Sequence, residues 1–410
     1  MRVAAFSAGA DRLGQFAAIA LGVSIPISVA LDNILLLLVA ILWLASGGLH
    51  RKLAIVAANP VAVATLALFG MLLAGLAYGT RNPGDGPGYL GKYIDLLFVP
   101  LFLSLFQDAV TRARALLALA ATLAVIVILS FTIKLSGLPE NAYIPGHSGN
   151  PVVFKQYLTH GILVAFGAFL FAQLAIHAAS RRAKLIWSSL AVLATLNVVL
   201  LTQGRTGYVV LAALALYLSF AQFKWRGLAT ALVSLAALAA VLAWVPGPLE
   251  QRLKQAAVEL EQWRPGQATA TSIGLRLEFY RNSIEIVREH PVLGVGTGGF
   301  PKAYAAIVRG TSQSEAHNPH NEYLMIAAQI GLVGLALLLH LFWRQWRFAA
   351  RLATPMEADL ARALVITIAI GSLFNSLLLD HTEGLLYAWL TGLLFGGLKS
   401  QPPPSGDRAQ

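Results

Sequence analysis

Two arginines, two histidines and one aspartate stand out in this chain because they occur where other charges are scarce. Arg205 sits in LLTQGRTGY at the end of an apolar run, with only Thr and Gln for company. An arginine at the edge of hydrocarbon with no acid beside it marks a functional position. Arg276 belongs to GLRLEFYRNSIEIVREH, in which Leu277, Tyr280, Ile284 and Val287 recur at helical spacing on one face. In that helix Arg281 has Glu278 and Glu285 within a turn and Arg288 has Glu285, whereas Arg276 has Ser272, Ile273, Phe279 and Tyr280. Two guanidiniums without local acids, facing one compartment, suit a bidentate grip on a diphosphate.

The histidines occur in HNPHNEYL, residues 317–324, just ahead of another apolar helix. The spacing puts His320 in the first turn of the helix entering at Asn321 and Glu322, where the positive helix end favours a neutral imidazole. Such a group suits a general base near neutral pH. Asp380, in LLLDHTEG, ends the next-to-last apolar crossing. From there it would orient His320 or pair with an arginine. Asn321, Tyr280 and His317 are further candidate substrate contacts. A metal reading competes, in which His317, His320, Asp380 and His381 bind zinc; Pro319 between the first two works against a shared helical face. The glycines of PVLGVGTGGF, residues 291–300, would cradle a phosphate with backbone N–H groups or form an ordinary turn, and they lack the P-loop pattern.

The elements that carry these residues follow from composition. The chain has 57% hydrophobic and 12% charged residues with a mean hydropathy of +0.68, which excludes an ordinary soluble domain. The formal charge of +11 is explained first by basic loops retained in the cytoplasm rather than by nucleic acid. There are no cysteines, hence no disulfide or thiolate metal site. The first apolar run lacks a small-residue cleavage site and is expected to stay as an anchor.

Windows of about 20 apolar residues fall near 14–31, 33–49, 60–79, 90–107, 114–136, 152–177, 184–202, 206–221, 227–245, 322–343, 358–379 and 384–398. The expected fold is therefore all-α and polytopic, with about twelve crossings and one large helical loop. Four regions result: crossings one to nine over 1–245, the loop over 246–321, three crossings over 322–398 and a tail over 399–410. With both termini inside, most of the 30 Lys and Arg residues fall on the cytoplasmic side. The long loop, Arg205 and Asp380 then share the outer side. Inside the loop, Leu249, Leu253, Ala256, Leu260 and Trp263 recur at helical spacing, as in an interfacial helix.

QGRTGY, then GLRLEFY some 70 residues later, the PVLGVGTGGF turn and HNEYL together resemble the O-antigen ligase and polymerase superfamily, and within it the O-antigen ligases. The resemblance implies a GT-C-like glycosyltransferase of the bacterial inner membrane, active on the periplasmic face. It implies transfer of a glycan from undecaprenyl diphosphate to a sugar of lipid A–core oligosaccharide. The residues would divide the work: Arg205 and Arg276 hold the diphosphate, His320 takes the acceptor proton, and Asp380 orients it. The sparse carboxylates speak against an Mg²⁺-dependent transferase, so no cofactor or metal is expected. Membrane lipids surround the protein and nucleic acid is not a partner. An O-antigen polymerase, a protein O-oligosaccharyltransferase and a lipid-linked glycan transporter are the alternatives. Apolar segment middles, with the polar groups gathered outside, favour surface chemistry over transport.

Overall fold

The computed structural model describes residues 2–136, 146–147, 149–244, 248–266 and 271–398, and among these every extended element is helical. The order is α1 (Arg2–Ser24), α2 (Val29–Ala45), α3 (Leu49–Ala58), α4 (Pro60–Ala74), α5 (Asp85–Lys92), a 3₁₀ turn (Ile94–Leu97), α6 (Phe98–Leu105), α7 (Ala109–Ser136) and α8 (Tyr157–Ile176). Then come α9 (Arg181–Leu196) with a π turn (Asn197–Leu201), α10 (Arg205–Trp244), α11 (Pro248–Gln262), α12 (Ser272–Glu289) and α13 (Phe300–Val308). The chain closes with α14 (Glu322–Ala349), α15 (Pro355–Gly371) and α16 (His381–Gly396). The side chains of Leu249 and Leu253, residues 267–270 in the polar break and the 399–410 tail lie outside the described residues.

The packing shows why this is a multi-pass membrane protein. On α2, Leu36, Val39 and Trp43 are buried while Ile34, Leu37, Ile41 and Leu44 are exposed. The outward stripe repeats every three or four residues and is as apolar as the inward one, which is stable only against lipid. By length and composition five of the described helices can cross a bilayer: Ala109–Ser136, Tyr157–Ile176, Arg181–Leu201, Arg205–Ser234 and Glu322–Ala349. Counting the bent pairs α2–α3 and α5–α6 as single spans gives seven. The expectation of about twelve crossings counts more windows than that. The windows near 60–79, 358–379 and 384–398 become helices of 15, 17 and 16 residues, shorter than the roughly 20 that a perpendicular span requires.

The buried centre is α16, whose Tyr387, Trp389 and Phe395 are among the largest fully enclosed side chains. Trp389 Nε1 donates to Ala18 O at 2.7 Å, so the indole satisfies its polar group while its ring fills the core. Gly392 and Gly396 let α16 approach α6 closely; a Cβ at Gly392 would lie 2.4 Å from Phe102 Cβ. The N-terminus of this fixed helix carries Asp380.

The glycine turn is a staple and not an anion cradle. Val295 N and Gly296 N donate to Ala328 O and Gln329 O at 2.9 and 2.8 Å, Thr297 N donates to Gly75 O at 3.0 Å, and Gly298 N donates to Gln329 Oε1 at 2.8 Å. Three of these bonds engage Ala328 and Gln329 beside the break of α14, where Ile330 and Gly331 leave helical geometry, and the fourth engages Gly75 at the end of α4. With four consecutive N–H groups spent on the protein, none of them is free for phosphate. The turn fixes α12 and α13 to α14, and so fixes the loop to the membrane helices.

Candidate active site

Arg205 is the first residue of α10, after the extended segment that ends the π turn. Its Nη2 lies 3.9 Å from Glu259 Oε1 on α11. Glu259 is 5% exposed and its Oε2 also accepts from Ile273 N at 2.9 Å. Arg205 is therefore not uncompensated, as its neighbours in sequence suggest: its acid comes from an amphipathic helix 54 residues downstream. The local pairs of α12 are present, with Arg281–Glu278 at 3.7 Å and Arg288–Glu285 at 3.6 Å. Among the described residues no carboxylate pairs with Arg276.

Arg205 and Arg276 line one cavity of about 180 Å³, together with Tyr157, Gln203, Gln255 and Ser272. That chamber offers two guanidiniums to one anion. One turn further along α12, the Tyr280 hydroxyl donates to Leu373 O at 2.8 Å and lies 3.3 Å from His320 O. Burial pushes the Tyr280 phenol up and Arg276 opposes the shift, so the hydroxyl stays a donor.

His320 does not lie in the first turn of α14. Asn321 is the N-cap, its side chain accepting from Leu324 N, and His320 stands ahead of it with φ +54. This left-handed conformation is costly for a side chain with a Cβ and is held by His320 N donating to Asn318 Oδ1 at 2.8 Å. The ring stacks on Phe279 of α12 at 6.0 Å between centroids. Its Nδ1 lies 3.0 Å from Asn375 Oδ1, and Asn375 Nδ2 donates to Asp380 Oδ2 at 2.9 Å. Asp380 accepts and can take only the amide's N–H, so Asn375 turns its carbonyl toward the ring. That assigns the imidazole proton to Nδ1 and leaves Nε2 as the acceptor.

The four expected residues thus fall into two adjacent constellations. The arginines share a cavity that His320 and Asp380 do not line; Arg276, Phe279 and Tyr280 of α12 join the halves. Asn321 is committed to the cap and to Leu373 O, to which its Nδ2 donates at 3.1 Å. The His317 ring is exposed, while its carbonyl accepts from the Tyr89 hydroxyl.

Part of the chain that holds this geometry is similar to a known family. Residues 190–339 match the family described as O-antigen ligase. The matched stretch covers 150 of the 410 residues. It runs from α9 into α14 and contains Arg205, Arg276 and His320; Asn375 and Asp380 lie beyond it. No curated protein matches the chain. A solved chain described as "Structural coordination of polymerization and crosslinking by a peptidoglycan synthase complex" is similar at 16% identity and a TM-score of 0.48, over 82% of this chain and 95% of that one.

Behind His320, residues that sequence reasoning passed over hold the constellation together. Tyr93 donates to Glu322 Oε1 at 2.8 Å, and Leu378 N donates to Glu322 Oε2 at 2.9 Å, which ties the 372–380 connection to α14. Sparse carboxylates along the sequence also hide a cluster in space. His381 stands between Asp32 and Asp95, with Nε2–Oδ2 3.8 Å and Nδ1–Oδ2 3.5 Å, beside Lys155 and Glu383. Burial lowers the Lys155 pKa against the pull of Asp32 and Glu383. Among the described residues no three His, Cys, Asp or Glu form a group that would hold a metal ion. The zinc reading also loses its geometry, since His381 turns toward these acids and His317 turns to solvent.

Proposed function

We propose that this protein is an O-antigen ligase of the bacterial inner membrane, with both termini in the cytoplasm and its site on the periplasmic face. It transfers a glycan from undecaprenyl diphosphate to a sugar hydroxyl of lipid A–core oligosaccharide. The observation that carries this reading is the pair Arg205 and Arg276 in one cavity, one helical turn from the residues that hold His320.

The acceptor oxygen attacks the anomeric carbon, and the bond from that carbon to the diphosphate oxygen breaks with its electron pair. The diphosphate leaves toward the two guanidiniums, which bind it more strongly as charge develops. The hydroxyl proton passes to His320 Nε2. The resulting imidazolium donates from Nδ1 to Asn375, whose amide is held by Asp380, so the new positive charge faces a carboxylate through one side chain. A single displacement inverts the anomeric configuration and requires no metal.

The direct test supplies purified protein with undecaprenyl-diphosphate glycan and rough lipopolysaccharide in the presence of EDTA. Glycan joined to lipid A–core supports the ligase. Lengthening of the carrier-linked glycan alone would make the protein a polymerase, and no product without a divalent metal would overturn the mechanism.

A further inference from the structure

The opposite end of the bundle carries a second basic cavity. It encloses about 500 Å³ among α3, α6, α14 and α16, and its lining includes Arg344, Arg351, Phe348, Ile55, Leu103 and Phe395. Roughly 35 Å of helix separates Arg344 from His320 at 1.5 Å per residue, so this chamber is distinct from the arginine cavity beside His320.

Its charges are unbalanced. Arg344 and Arg351 place their guanidiniums 5.6 and 4.8 Å from the same Phe348 ring. Among the described residues neither forms an ion pair, and the acids of neighbouring α15 are engaged: Glu357 with Arg112 at 2.7 Å, and Asp359 with Arg362 at 3.9 Å and the Tyr217 hydroxyl at 2.7 Å. Residues 399–410 contribute Asp407 against Lys399 and Arg408, so the tail side chains bring no net negative charge. The other polar lining groups serve the protein itself. Asn59 Nδ2 donates to Phe395 O at 3.1 Å, and Gln107 Nε2 donates to Leu103 O at 2.7 Å. Two like charges sharing a chamber repel unless an anion lies between them.

The surroundings specify the form of that anion. One wall is apolar, with Ile55, Pro60, Leu103 and Leu398. The adjoining α3 is bent 113° from α2 and exposes Leu49 and Leu53, while Trp343 and Trp346 are exposed on α14. A helix lying across the bundle end and a belt of tryptophans mark the headgroup level of a bilayer. Basic pockets between helices at that level bind anionic lipid headgroups. We infer that this cavity binds an anionic glycerophospholipid of the bilayer, its phosphate between Arg344 and Arg351 and an acyl chain along Ile55 and Leu103.

The test uses the full chain, delipidated in detergent, with phosphatidylglycerol, phosphatidylcholine or inorganic phosphate added. Retained lipid is read by native mass spectrometry and stabilisation by the thermal unfolding midpoint. Phosphatidylglycerol should be retained and should raise the midpoint, phosphatidylcholine should do neither, and R344Q/R351Q should weaken phosphatidylglycerol retention at least tenfold. R351Q alone, at an exposed side chain, should weaken it in part and serves if the double variant does not fold. Equal retention by wild type and variants, or equal binding of phosphatidylcholine, would overturn the site. Stabilisation by inorganic phosphate equal to that by phosphatidylglycerol would overturn the lipid assignment in favour of a soluble anion.

Discussion

His320 Nδ1 lies 3.0 Å from Asn375 Oδ1, and this contact sets which nitrogen of the imidazole can accept a proton. Replacing Asn375 by Leu removes it while leaving the arginine cavity in place. The turnover rate should fall by about 10²-fold, within the range attributed to positioned general bases, with the KM for the lipid-linked donor changed little. Steady-state kinetics on the purified variant give both values.

Asp380 is half-buried, and burial raises its pKa against the opposing effects of Asn375, His320 and Lys92. A raised carboxyl pKa means that protonation on acidification begins at a higher pH than for an ordinary aspartate, and the protonated form no longer offsets an imidazolium. Turnover should therefore fall on the acid side through a group titrating above the usual carboxylate range. In Asp380→Asn the plateau rate should be lower and the carboxyl's share of the acid limb should be lost, leaving only the limb that any general base carries. A pH–rate profile of wild type and variant resolves it.

Arg276 has no carboxylate partner among the described residues, whereas Arg205 lies 3.9 Å from Glu259. Arg276→Lys keeps the charge but loses the two-pronged geometry, and kcat/KM for the donor should drop by about 10²-fold. Glu259→Gln frees Arg205 from its acid and should strengthen binding of inorganic diphosphate, measured by calorimetry. The two changes should act in opposite directions.

Gly331 has φ +69, and a Cβ there would come within 2.0 Å of Val292 O. Gly331→Ala should destabilise the fold by about 1–3 kcal/mol through backbone strain alone, with further loss from the clash. A lowered unfolding midpoint in detergent checks this, and the same substitution at Gly70, where nothing lies within 4 Å, should leave the midpoint nearly unchanged.

Helical segments were readable because apolar runs and helical spacing alternate with polar or Gly/Pro-rich breaks, but crossings could not be counted the same way. Lys224 at φ +55 divides α10, and α4, α15 and α16 are short helices that packing completes. Arg276 stood out from its i±3 and i±4 neighbours because helix pairing is local. Glu259 was invisible as the partner of Arg205 because the contact depends on how α11 folds back over α10. Asn375 sits 55 residues from His320 in an irregular connection with no period to reveal it. Asp32, Asp95 and His381 lie on three separate elements, so only the fold shows their cluster.

In the proposed reaction His320 acts on the acceptor proton while the arginines hold the donor. The most direct measurement is a paired one on His320→Ala: binding of undecaprenyl-diphosphate glycan, and transfer of that glycan to rough lipopolysaccharide. For the proposed reaction, binding should stay close to wild type and transfer should fall by about 10³-fold. Transfer at the wild-type rate, or loss of donor binding with the residual turnover unchanged, would contradict it.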